Sequence, residues 1–308
     1  MATSRTAYIF PGQGSQFIGM GRDLYDAYES VRERYRVASD ILGLNLAQLS
    51  FDGPEDELKQ TRVTQPAIFV HSAVLTEILQ ARRYRPSLVA GHSLGEYSAL
   101  FAAGALSFVD ALKLVKVRGE LMQQAGEINA GAMAAIIGLE PEVLRDVCDE
   151  AAANGVVQVA NYNSPGQIVI SGSVSGVERA IVVAQEKGAK KAVPLVVSGA
   201  FHSPLMEFAR EGLTEALAQV RINPAEVPVF SNVTAGPVSQ PTDIQKYLLE
   251  QLTCPVRWTE SIQNMIGDGA NVFYEVGPGS VLKGLLKRIS RDTECRSINS
   301  VESLAEMA

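Results

Sequence analysis

Cysteine is scarce in this 308-residue chain: Cys148, Cys254 and Cys295 are its only three, an odd number set far apart. Their spacings match no zinc pattern and no disulfide framework, so three unpaired thiols, no metal and a reducing compartment are expected. Long apolar runs are missing too. Residues 1–6 lead straight into a short strand-like segment, and no stretch has the length of a membrane helix or the pattern of a signal peptide. A cytoplasmic protein without a membrane association is therefore expected. Nor is there an excess of positive charge. The formal net charge of −7 argues against a general nucleic-acid partner, although it leaves room for a local basic patch. There is no internal repeat, low-complexity tract or coiled-coil heptad. Histidine is rare, with only His71, His92 and His202, which shortens the search for a general base.

What is present is ordinary for a globular chain: 46% hydrophobic and 20% charged residues. The length is enough for a full core and near the size at which one core splits into two units. Strand-like and helical patterns alternate, which predicts an α/β class with a largely parallel sheet. Residues 7–10 read as the first strand, followed by the glycine-rich loop 11–16. Gln65-Pro66 reads as the opening of a helix. In the middle, strands at 132–137, 156–160, 167–171 and 190–197 and helices at 140–153 and 174–186 run in the order β-α-β-β-α-β, the ferredoxin-like motif. A small insert domain at 126–198 is expected, with the larger domain built from both flanks, 1–125 and 199–308. Clefts between domains favour ligands. Strands are expected at 227–233 and 271–276, and a frayed end over the last ten residues.

Gly91-His92-Ser93-Leu94-Gly95 lies between an apolar run, 87–90, and a helix-forming run, 96–103. Strand, G-x-S-x-G, helix is the context of a nucleophile elbow: glycines permit a sharp turn and the helix N-terminus faces the serine. The bland alternative is a glycine-rich turn with an ordinary serine. A serine hydroxyl needs a base. His71 sits in an apolar helical pattern and reads as structural. His92 adjoins Ser93, and adjacent side chains on a turn diverge, so it reads as a wall of the site. His202 follows a strand and precedes Ser203-Pro204, the expected N-cap and first residue of a helix to Gln219, so it is the candidate general base. Asp110, Asp146 and Asp149 lie between the pair in sequence, but none has a compelling context as the group that orients the imidazole; a backbone carbonyl is the alternative.

Ser107-x-x-Asp110 reads as a helix start. Along that helix Arg118 falls inside the apolar stripe Ala111, Leu114, Val115, Leu121 and Met122. A guanidinium turned inward needs a partner. An internal ion pair or a snorkelling side chain is one reading; a fork for a substrate carboxylate is the other. The loop 11–16 lacks both the dinucleotide fingerprint and a P-loop lysine, so it suits either a phosphate or, given an acyl transfer at Ser93, an oxyanion hole.

With these residues in place, the chain resembles the malonyl-CoA:acyl carrier protein transacylases, the acyltransferases of fatty acid and polyketide synthesis. The resemblance covers nearly all of the chain. It rests on Phe10-Pro11-Gly12-Gln13-Gly14-Ser15-Gln16, Thr64-Gln65-Pro66-Ala67, Gly91-His92-Ser93-Leu94-Gly95-Glu96, Arg118-Gly119-Glu120-Leu121-Met122, Asn163-Ser164-Pro165, Phe201-His202-Ser203 and Glu275-Val276-Gly277-Pro278-Gly279. It implies a hydrolase-like α/β domain with a ferredoxin-like insert. It also implies roles: Ser93 as the acylated nucleophile, His202 as its base, the Gln251 main-chain carbonyl as the orienting group, and the Gln13 and Leu94 amides as the oxyanion hole. Arg118 would hold the malonyl carboxylate, with Phe201 and Met122 as further substrate contacts; Phe201 favours malonyl over methylmalonyl.

The implied reaction is a ping-pong transfer from malonyl-CoA to the phosphopantetheine thiol of acyl carrier protein, without metal or cofactor, by a chain expected to be monomeric. Fatty acid synthesis is the preferred setting, and a free-standing acyltransferase of a polyketide synthase is the alternative. More distant rivals are a serine thioesterase or hydrolase on the same elbow and a non-catalytic carrier-docking module. Carrier proteins of this type are acidic, which points to Lys283, Lys287 and Arg288 as docking candidates.

Overall fold

The computed structural model describes residues 5–307. Ten strands form: β1 (Arg5–Phe10), β2 (Leu88–Gly91), β3 (Gly131–Ile137), β4 (Val157–Ser164), β5 (Gln167–Ser173), β6 (Lys191–Pro194), β7 (Val229–Phe230), β8 (Pro237–Val238), β9 (Ala270–Val276) and β10 (Glu294–Ile298). Six of them make one sheet in the order β10-β9-β1-β2-β7-β8, parallel except for the final β7–β8 pair. The other four make a separate antiparallel sheet, β4-β5-β3-β6. The class is the expected α/β with a largely parallel main sheet.

Strand periodicity decides what each face buries. In β1, Ala7 and Ile9 enter one apolar cluster with Leu88, Ala90, Trp258 and Phe273, while Tyr8 and Phe10 enter the other. Both faces of the main sheet are covered, so β1 and β2 read as short continuous apolar runs. In the second sheet, Ile168 and Ile170 pack beneath the helices Pro141–Ala151 and Val174–Glu186, together with Leu144, Val147, Val177 and Val183. Val169 and Met133, on the opposite face, join the main cluster instead. That face closes over the carboxyl ends of β1 and β2, where ligands settle in parallel sheets.

Several elements differ from expectation. The helix opening at Gln65-Pro66 begins earlier, as Thr61–Ala81 with Pro66 inside it. Proline usually marks a first turn, but this helix is buried nearly all round, and packing outweighs one missing N–H. The helix expected to run from Ser203 to Gln219 is broken into a 3₁₀ turn, Pro204–Met206, and the helix Ala209–Ala218. Ser203 does cap the turn through a Leu205 N–H. The strand at 227–233 shrinks to β7, since Asn232 turns away to serve the site described below. The strand at 190–197 shortens to β6, and β10, not expected, adds to the main sheet. The last ten residues are not a frayed end over their described part: Val301–Ala305 is helical, Leu304 is fully buried, and the Val301 N–H donates to Asp23 Oδ2 at 2.7 Å. Among the described residues no helix is long and apolar enough to cross a membrane.

Candidate active site

Ser93 follows β2 at the carboxyl edge of the main sheet and precedes the helix Gly95–Ala102. Its φ is 52°, left-handed and disfavoured for a residue with a Cβ. The chain comes too close to itself here for side chains: a Cβ on Gly91 would lie 1.8 Å from Gly95 C, and one on Gly95 2.1 Å from Phe10 O. Asn232 fixes the turn. It accepts from the Ser93 N–H at 2.7 Å and donates from Nδ2 to Gly91 O at 2.6 Å.

His202 comes from the loop after β6 and also has a left-handed backbone, φ 56°. Strain of this kind persists only where surrounding contacts over-determine it. Its Nε2 lies 2.8 Å from Ser93 Oγ, and its Nδ1 lies 2.8 Å from the main-chain oxygen of Gln251. A carbonyl only accepts, so Nδ1 carries the proton and the Nε2 lone pair faces the serine hydroxyl. Burial, followed by the positive charge of Arg118, depresses the His202 pKa to about 3. The ring is thus held neutral and able to take a proton. Asp110 instead sits in the first turn of the helix Phe108–Ile128, where it accepts from the N-cap Ser107 Oγ at 2.8 Å.

Arg118, on that helix, is 1% exposed. Nη1 donates to Gln65 Oε1 at 2.8 Å; Nη2 donates to Gln251 Oε1 at 2.9 Å and to Ser93 Oγ at 3.1 Å. All three acceptors are neutral oxygens, and Arg118 forms no carboxylate salt bridge among the described residues. The reading as an internal ion pair therefore gives way to a buried cation held by two amide oxygens and the Ser93 hydroxyl.

Gln13, from the loop after β1, and Leu94 both line the cleft above Ser93. Among the described residues neither backbone N–H has an acceptor. Two free donors beside a serine held against a neutral imidazole suit the stabilisation of a tetrahedral oxyanion.

The family described as acyl transferase domain matches residues 7–307. The chain belongs to that family. It is 47% identical over 302 residues to a malonyl CoA-acyl carrier protein transacylase of Bacillus subtilis, covering 98% of this chain and 95% of the relative. Its counterpart of the same name in Escherichia coli is 44% identical over 300 residues, covering 97% of each chain. Among solved structures, an acyl carrier protein S-malonyltransferase from Vibrio cholerae superposes with a TM-score of 0.96 at 45% identity, covering 99% of this chain and 100% of that one. A malonyl-transacylase solved with a type II polyketide acyl-carrier protein superposes with a TM-score of 0.94 at 42% identity, over 98% of each chain.

The structure places the remaining expected residues as follows. Phe201 is buried and lines the cleft. Met122 does not line it; its Sδ lies behind the cleft wall, 3.5 Å from Gln65 Nε2. His92 bonds through Nε2 to Asn163 Oδ1 at 2.8 Å, joining the elbow to the second sheet as a wall of the cleft. His71 is buried in the helix Thr61–Ala81, away from Ser93, with burial depressing its pKa to about 4.

Sequence reading missed Asn232 and Glu96. Glu96, 2% exposed, accepts at Oε2 from the Asn232 N–H (3.0 Å) and from Gln251 Nε2 (2.7 Å). Burial raises its pKa to about 7 against the pull of those bonds. Its signal was available: a carboxylate in an otherwise apolar helix, one residue past the elbow. Asn232 had none, since it sits in a loop far off in sequence. The role of Glu275 was also hidden. Its Oε1 and Oε2 accept from Leu282 N and Lys283 N, both at 2.9 Å, which caps the helix Val281–Ile289 at the cleft mouth.

Proposed function

We propose that the chain transfers malonyl from malonyl-CoA to the phosphopantetheine thiol of acyl carrier protein through a malonyl ester on Ser93. The observation that carries this reading is Arg118: a fully buried guanidinium, 3.1 Å from the reacting oxygen and paired only with neutral partners. No carboxylate touches this buried cation, since Glu96 reaches it only through the Gln251 amide, and the free guanidinium fork suits an acyl group that brings its own carboxylate, bound through two parallel bonds.

In the first half-reaction Ser93 Oγ forms a bond to the thioester carbon while its proton passes to His202 Nε2. The Gln13 and Leu94 amides hold the oxyanion, each such donor being worth about 3 kcal/mol. The carbon–sulfur bond then breaks, and the His202 proton goes to the departing coenzyme A thiolate. In the second half-reaction the carrier thiol gives its proton to His202 and its sulfur bonds to the ester carbon; the ester carbon–oxygen bond then breaks and His202 Nε2 returns the proton to Ser93 Oγ. The Gln251 carbonyl keeps the proton on Nδ1 throughout, and the Phe201 ring shapes the acyl end of the cleft. All proton and acyl movements are complete with these side chains and the two substrates. We assign residues 126–198 as an insert domain, supported by their own apolar cluster.

The carrier would approach along the helix Val281–Ile289. Val281, Leu282 and Leu285 line the cleft, while Lys283, Lys287 and Arg288 are exposed beside it. The names of the curated relatives support this acceptor class. A polyketide carrier is the second reading, favoured by the neighbour solved with such a carrier.

Intact-mass measurement after incubation with malonyl-CoA tests the proposal. Wild type is expected to gain one malonyl group and to lose it to added carrier protein, and Ser93→Ala to gain none. Rapid release of free malonate without a thiol acceptor would make the protein a hydrolase instead.

A further inference from the structure

The second sheet reaches into the catalytic machinery through one side chain that no motif singled out. Gln158 lies on β4, the edge strand of that sheet. Its Nε2 donates to His202 O at 2.8 Å and to Thr253 O at 2.8 Å. A carboxamide nitrogen has two hydrogens, and both are used here.

The two acceptors belong to two loops that must stay in register. One carries His202, whose backbone is left-handed. The other carries Gln251, whose carbonyl takes the His202 Nδ1–H at 2.8 Å. Thr253 lies two residues further on. The contacts close a ring: Gln158 to His202 O, His202 Nδ1 to Gln251 O, along the backbone to Thr253 O, and back to Gln158. β4 holds the second loop again further along, through Tyr162 N to Val256 O at 2.9 Å and Val256 N to Ala160 O at 2.8 Å. The free edge of the small sheet thus carries the segment that orients the imidazole.

We propose that Gln158 is a positioning residue for acyl transfer, holding the His202 loop and the Gln251 loop at the separation that keeps Nδ1–H on the carbonyl and Nε2 on Ser93 Oγ. It touches no reacting atom. The inference rests on the reading of His202 as the base of Ser93. Loosening the ring lets the imidazole swing without removing any substrate contact, so the effect belongs in the chemical step rather than in binding.

The test compares wild type with Gln158→Leu, which keeps the bulk and removes both donors, and with Gln158→Glu, which keeps the shape and sets a carboxylate against two carbonyl oxygens. Malonyl-enzyme formation is followed by rapid quench, normalised to the fraction of enzyme that can be acylated, so that partial unfolding does not register. The maximal rate is expected to fall about tenfold in Gln158→Leu and further in Gln158→Glu, with half-saturation for malonyl-CoA within about twofold of wild type. The His202 Nδ1–H resonance, observed without substrate, is expected to exchange with water at least about tenfold faster in both variants. A wild-type normalised rate in either folded variant overturns the inference, as does a loss confined to half-saturation. Failure of the underlying reading shows separately, as wild type that forms no adduct at Ser93.

Discussion

Arg118 Nη2 lies 3.1 Å from Ser93 Oγ while also donating to Gln251 Oε1 at 2.9 Å. One buried cation therefore faces the nucleophile and grips the side chain of the same glutamine whose carbonyl orients the base. Guanidinium, serine hydroxyl and imidazole share a single electrostatic centre, and Gln251 is its hub: its Nε2 also donates to Ser93 O at 3.1 Å and to Glu96 Oε2 at 2.7 Å.

Replacing Arg118 by alanine is expected to remove malonyl transfer selectively. Two charge-assisted hydrogen bonds to a carboxylate are worth together about 3 kcal/mol, or roughly a hundredfold in kcat/KM. An acetyl group has no carboxylate to lose, so acetyl transfer should fall much less. The check is the ratio of kcat/KM for malonyl-CoA to that for acetyl-CoA in wild type and variant. An equal loss for both acyl groups would mean that Arg118 serves the elbow alone.

The pH dependence follows from the His202 ring. Its depressed pKa, about 3, results from burial first and the Arg118 charge second. A lowered pKa keeps the ring neutral as pH falls, so acylation should persist well below the ordinary histidine value of 6.5, with the acid limb at lower pH. Its contribution to stability has the same sign: present above pH 6.5 and lost as pH drops toward 3. Arg118→Ala removes one of the two depressing causes, so the acid limb should move up. The rate of malonyl-enzyme formation against pH, measured before the first turnover ends, reads both effects. An acid limb that stays put in Arg118→Ala would separate the guanidinium from the base.

Much of this was legible in local sequence, and the illegible parts share a cause. The elbow was legible because Gly91 and Gly95 answer to a local steric demand. Arg118 was legible because one charge interrupts a helical apolar stripe. The β-α-β-β-α-β order was legible because each element has its own periodicity. By contrast, Asn232 and Gln158 act across long sequence separations through amides, which leave no pattern in composition, and the orienting Gln251 carbonyl was reached only through the family resemblance. Proximity of Ser93 and His202 followed from both lying on loops at the ends of strands, but the left-handed backbone at His202 did not, because histidine carries no preference that marks it. The tail misled for the opposite reason: its apolar residues are few, yet Leu304 is fully buried.

Glu96 provides a test of the buried network by stability. Burial raises its pKa from 4.5 to about 7. A raised carboxyl pKa stabilises the fold below the unfolded value, and that stability is lost as pH rises through 7. The substitution Glu96→Gln would keep an acceptor oxygen for the Asn232 and Gln251 donors without the ionisation. The stability of Glu96→Gln relative to wild type is therefore expected to improve between about pH 4.5 and about pH 8, by on the order of 3 kcal/mol. Urea midpoints at both pH values check this. Parallel pH curves for the two proteins would show that Glu96 is ionised at no cost, already balanced by Arg118 across the Gln251 amide.

Charge reversal on the helix Val281–Ile289 separates the two half-reactions. Lys283 and Lys287 are exposed beside cleft-lining Leu282 and Leu285, while Arg288 is already engaged with Gln167 of the second sheet. An acidic carrier attracted to this helix gains on-rate from its charge, and the gain is screened by salt. The double variant Lys283→Glu/Lys287→Glu should raise KM for the carrier about tenfold at low salt, converge on wild type near about 1 M salt, and leave the acylation of Ser93 by malonyl-CoA changed by less. Stopped-flow acylation and steady-state transfer to carrier, run on the same preparation at two ionic strengths, distinguish the steps. If acylation falls as much as transfer, the lysines hold coenzyme A phosphates, and the carrier docks on another face.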